Sequence, residues 1–66
     1  MNHDRKFVHD MKNMLGIVIG YANLVLDETR TDDPKWSDLD QIRKAGESAL
    51  GLLDTWAASV QREDPA

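Results

Sequence analysis

A histidine followed directly by an acid, with an amide one helical turn further on, is the grouping in this chain best suited to chemistry: His9, Asp10 and Asn13. An imidazole nitrogen can act as a nucleophile near neutral pH. A neighbouring carboxylate can accept a hydrogen bond from Nδ1–H, fix the tautomer and leave Nε2 as the attacking atom. An amide at the position of Asn13 could orient a water or a phosphoryl oxygen. Each residue also has an ordinary reading. A lone histidine is more often an incidental surface residue, Asp10 is a favourable charge near a helix N-terminus, and Asn13 is a solvated polar residue.

The element that must carry these residues is a helix. From Phe7 the apolar positions Phe7, Met11, Met14, Val18, Tyr21 and Val25 recur in steps of four, three, four, three, four, the alternation that keeps one stripe facing a partner. Val8, Leu15 and Ala22 flank the stripe on one side, and Ile17 and Leu24 on the other. The apolar face is therefore wider than a two-stranded coiled coil needs and suits a bundle. At about 100° per residue, His9, Asn13, Gly16 and Gly20 share a band about 60° wide, offset from the stripe. A polar side chain thus stands above a bare patch. Each glycine inside a helix costs about 1 kcal/mol relative to alanine, so something must offset two of them. Close approach by another surface is one reason; tight helix–helix contact inside the bundle is the other.

The second half repeats the pattern. Leu39, Ile42, Gly46, Ala49, Leu53, Trp56 and Val60 follow alternating steps of three and four, with Ala45, Leu52 and Ala57 beside them. Between the two helices lies the polar run Thr29-Arg30-Thr31-Asp32-Asp33-Pro34. There Asp33 can cap orphan amides and Pro34 can take the first helical position, although Ser37, with Asp40 three residues on, is a competing start. The expected boundaries are helix 1 at about 4–29, turn at about 30–35 and helix 2 at about 36–61, with residues 61–66 frayed. A short connection makes the helices antiparallel neighbours. The fold class expected is all-α: an antiparallel helical hairpin, one domain over residues 1–66, that dimerises into a four-helix bundle.

Size and composition support the need for a second copy. Sixty-six residues without a cysteine bury only about 60% of the surface exposed on unfolding and have no disulfide or cysteine-based metal cluster to compensate. A homodimer is the simplest remedy. Twelve acidic against eight basic residues, a net charge of −4, disfavour nucleic acid as a partner. The uncharged run from Asn13 to Leu26 is broken by Tyr21 and Asn23 and is too short for a membrane span. No signal-like apolar stretch follows Met1, so no membrane contact and a cytoplasmic location are expected.

The run His9-Asp10-Met11-Lys12-Asn13-Met14-Leu15, opening a long amphipathic helix that continues Gly16-Ile17-Val18-Ile19-Gly20-Tyr21-Ala22-Asn23-Leu24, resembles the H-box of the dimerisation and histidine-phosphotransfer domain of sensor histidine kinases. Asp38-Leu39-Asp40-Gln41-Ile42-Arg43-Lys44-Ala45 is similar to the opening of that family's second helix. The likeness runs from about Lys6 to Trp56. It implies His9 as phosphoacceptor, Asp10 as general base, and Asn13 as the amide position used by members that dephosphorylate a response regulator. Lys12 receives no chemistry. Where many relatives have proline this chain has Met14, which removes the basis for a proline-dependent bend.

The resemblance also implies partners: a response regulator receiver domain, packing near Gly16 and Gly20, and a kinase catalytic domain that binds ATP. Phosphoryl transfer depends on positioning and on Mg²⁺ around the phosphates. This chain has no glycine-rich nucleotide-binding stretch, so it binds no cofactor itself, and ATP and Mg are expected on that separate domain. The resemblance thus implies a phosphotransferase of the histidine kinase family whose ATP-binding catalytic domain is not in this chain. The alternative is a non-catalytic dimeric scaffold or adaptor with His9 unphosphorylated. A metal site from His3-Asp4 and His9-Asp10 is disfavoured, because histidines six apart project about 120° from each other on a helix. Trp36 and Trp56 are expected as lid and core, and Asp27, Glu28, Asp32 and Asp33 as a solvated hairpin end.

Overall fold

Two helices carry nearly all of the chain. In the computed structural model, which describes the backbone of residues 2–63 and the side chains of residues 5–59, α1 spans Asn2–Asp27 and α2 spans Pro34–Glu63. The pairings Phe7 with Trp56, Lys12 with Asp54 and Ile19 with Gly46 run in opposite chain directions, so the helices are antiparallel. The all-helical hairpin expected from the sequence is the observed fold. Met14 lies within an unbroken α1.

The connection occupies residues 28–33 and is closed by local bonds. Glu28 and Thr29 donate their amides to the Val25 and Leu26 carbonyls, and Thr29 Oγ1 donates to Val25 O at 2.6 Å. These bonds satisfy carbonyls that the end of α1 would leave orphaned. Asp33 Oδ1 accepts from the Lys35 amide at 2.8 Å, with Pro34 as the first helical residue. Of the two starts open in the sequence, Asp33–Pro34 is the one used. α1 thus ends two residues before the expected 29, and α2 begins at 34 rather than 36. Of the expected frayed end, residues 61–63 are helical and residues 64–66 lie outside the described residues.

The hairpin is a rod, 53 × 15 × 11 Å, with a radius of gyration of 15.4 Å, where a compact chain of this length would have about 11 Å. Its seam is thin. Val8, Met11, Leu15, Ile19, Ala22 and Leu26 of α1 are at least half-buried against Leu39, Gly46, Ala49, Leu50, Leu53 and Ala57 of α2, but Ala22, 6% exposed, is the one fully buried apolar side chain among the described residues. This partition corrects the sequence reading. The seam runs along the flank Val8, Leu15, Ala22, while Phe7, Met14, Val18, Tyr21 and Val25, the expected centre of the stripe, are exposed. Met11 alone of that stripe is half-buried.

Candidate functional site

Three faces can be distinguished on α1. The seam is one. The exposed apolar face lies about 120° around the helix, and the band of His9, Asn13, Gly16 and Gly20 lies about 120° further on. The exposed apolar face continues onto α2. Ile17, Val18, Tyr21, Ala22 and Val25 line an open groove of about 350 Å³ with Leu39 and Ile42. Nearer the open end of the rod, Phe7 meets Trp56 edge-on, with ring centroids 6.1 Å apart and planes at 79°, a favoured aromatic geometry. Trp56 remains 42% exposed; it belongs to this face and not to a closed core, because two helices alone cannot surround it. Trp36 is half-buried beside the connection, as a lid residue should be.

The side chains singled out for chemistry are gathered at the open end. His9 is exposed, 81% for its side chain, and Asp10 beside it is half-buried. His9 Nδ1 lies 3.8 Å from Asp10 Oδ1, too far for a hydrogen bond and close enough for the two to attract when the ring is protonated. Asp10 Oδ2 accepts from Lys6 Nζ at 2.9 Å. The Lys6 hydrogen bond is the main cause holding the Asp10 carboxyl below the usual carboxylate range; partial burial opposes it, and the charges of Lys6 and His9 add to it. Asn13 is exposed one turn further along the same face.

The glycines divide into two kinds. Space around Gly16 and Gly20 is open, with no atom within 4 Å of where a Cβ would sit. They serve no packing within the hairpin, and Gly51 on α2 is open in the same way. Gly46 is the glycine of the seam and is buried.

Two residues join the site that the sequence reading left out. Lys6 was legible, since it precedes Asp10 by one turn. Asp54 was not, because its pairing with Lys12 Nζ at 2.7 Å depends on the register between the helices. That bridge ties α2 to the segment between His9 and Asn13, on the side of the seam away from the apolar groove. Of the disfavoured metal pair, the side chains of His3 and Asp4 lie outside the described residues. Among the described residues no group of three or more His, Asp or Glu side chains could hold a metal ion, and no helix is long and apolar enough to cross a membrane. The acidic hairpin end is exposed, with Asp32 paired to Arg30 at 3.1 Å.

In comparisons with known proteins, no family model, no curated protein and no solved structure matches the chain.

Proposed function

We propose that the chain is the dimerising phosphoacceptor module of a two-component histidine kinase, carrying phosphate on His9 and passing it to an aspartate of a response regulator. The observation that carries this reading is the exposed imidazole of His9 with the Asp10 carboxylate on its Nδ1 side, set on the same helix face as two glycines that nothing in the hairpin uses. In the proposed reaction the Nε2 lone pair attacks the γ-phosphorus of ATP held by a separate catalytic domain. The bond from that phosphorus to its bridging oxygen breaks, ADP leaves, and Asp10 takes up the Nδ1 proton as positive charge develops on the ring. In the second transfer the P–Nε2 bond breaks as a carboxylate oxygen of the receiver domain attacks. Asn13 orients a water where the regulator is dephosphorylated.

The homodimer rests on a different observation. Among the described residues ten large apolar side chains are exposed, Tyr21 by 65%, and most lie on one side of the rod. A surface of that kind marks an interaction site. A second copy presenting the same face would enclose Val18, Tyr21, Val25 and Ile42 in a four-helix core. The Gly16/Gly20 face stays outside that core and is where a receiver-domain helix packs closely.

The decisive experiment is incubation with ATP-competent kinase catalytic domains and with phosphorylated receiver domains, followed by mapping of any label. Acid-labile phosphate on His9, lost in His9→Gln, is the expected result. An intact dimer without label across partners that label other histidine modules would establish the scaffold reading instead.

A further inference from the structure

Asp10 divides its two oxygens between two neighbours on its own helix. Oδ2 is held by Lys6 Nζ at 2.9 Å, and Oδ1 faces His9 Nδ1 at 3.8 Å. Viewed down the axis, His9, Lys6 and Asp10 stand at about 0°, 60° and 100°, so Lys6 lies between the other two and one turn towards the N-terminus. Helical side chains lean towards the N-terminus, and the ammonium therefore draws the Asp10 carboxylate back to the level at which the His9 ring sits. With no anchor, a short exposed carboxylate has no reason to keep one oxygen on the ring side. A charge-assisted hydrogen bond to Oδ2 supplies that reason. The same ammonium offsets the negative charge of Asp10, which would otherwise repel an approaching phosphoryl group.

We propose that Lys6 is a positioning residue for His9, acting through Asp10: it holds the carboxylate on the Nδ1 side of the ring, where the negative charge of Oδ1 at 3.8 Å favours the tautomer with the proton on Nδ1 and the lone pair on Nε2. The significance of this rests on His9 being the phosphoacceptor; the geometry itself does not. Lys6 also makes Asp10 a weaker base, so positioning and basicity act in opposite directions. The proposal is that positioning dominates.

The test uses the whole chain with ¹⁵N-labelled histidine. At about pH 8.5, above the ordinary imidazole range, the ring nitrogen shifts report the ratio of the two neutral tautomers of His9. Lys6→Gln should lower the Nδ1–H share about twofold, the size an exposed pair at this spacing supports; Lys6→Arg should restore it, and Asp10→Asn should lower it at least as far. Phosphoramidate then provides phosphorylation without a kinase: its P–N bond breaks, ammonia leaves and a P–Nε2 bond forms. That rate should fall by a similar factor in Lys6→Gln and recover in Lys6→Arg. Lys6 is 77% exposed, so the variants should keep the helical content and dimer state, which circular dichroism and light scattering check. An unchanged tautomer ratio, or faster phosphorylation in Lys6→Gln, would overturn the proposal. Neither readout requires a cognate kinase, so failure of kinase labelling with these results intact would count against the phosphotransfer function alone.

Discussion

Gly46 packs directly against Ile19 across the two helices: a Cβ placed on Gly46 would lie 2.9 Å from Ile19 Cγ1 and 3.6 Å from its Cδ1. The residue in the way is β-branched, and a β-branched side chain in a helix has essentially one χ1 rotamer. Cγ1 cannot swing aside, so the helices themselves must part. Gly46→Ala should therefore destabilise the hairpin by about 1 kcal/mol, overpacking of about 2 kcal/mol outweighing a helix-propensity gain of about 1 kcal/mol. Urea denaturation of Gly46→Ala, Ile19→Ala and the double variant reads the coupling. Additive effects would mean that the pair is not in contact in solution.

Alanine at Gly16 or Gly20 should do the opposite. A methyl group there meets open space, so each substitution should raise stability by about 0.5–1 kcal/mol, read in the same denaturation experiment. Under the proposed function, Gly20→Leu should weaken receiver-domain binding while sedimentation shows the dimer unchanged. Unaltered affinity would remove the glycine face from the docking surface.

The exposed apolar face should control self-association. Val18 lines the groove beside Tyr21 and Ile42, and an aspartate at this position would have to be buried between two copies. Val18→Asp should raise the dimer dissociation constant by about tenfold or more and leave monomeric hairpin, seen by sedimentation equilibrium. A wild-type chain that is a folded monomer at micromolar concentration would contradict the four-helix bundle.

Asp40 should make the hairpin sensitive to acid. Its side chain is only 15% exposed and sits 2.7 Å from Arg43 and 3.1 Å from Lys44. Hydrogen bonds first from Arg43 and then from Lys44 hold its carboxyl below the ordinary range. A carboxyl lowered in the folded state adds stability above its unfolded pKa of about 4, and that stability is lost as pH falls through the folded value. Thermal melts between pH 7 and pH 2 should show a shallower acid loss in Asp40→Asn than in the wild type. Parallel curves would mean that the network does not form.

Much of the site and most of the fold are written in the local order of residues. The step of three and four defines both helices, Asp33 and Pro34 contain the start of α2, and His9, Asp10 and Asn13 share a turn whatever the helices do afterwards. These features are local, governed by about 3.6 residues per turn and by backbone capping. Which apolar residues meet which partner is a different matter. Val8, Leu15 and Ala22 look like the margin of a broad face when its average direction is taken, yet they form the seam, and Val18 and Tyr21 at the centre stay exposed. Periodicity reports the mean direction of all apolar side chains, and a face wide enough for two partners has a mean that points at neither. The division is made by close approach at Gly46, by the fit of Ile19 above it and by the register that brings Lys12 to Asp54. Both the Ile19–Gly46 and the Lys12–Asp54 contacts join residues more than 25 positions apart, and they exist only once the hairpin has closed.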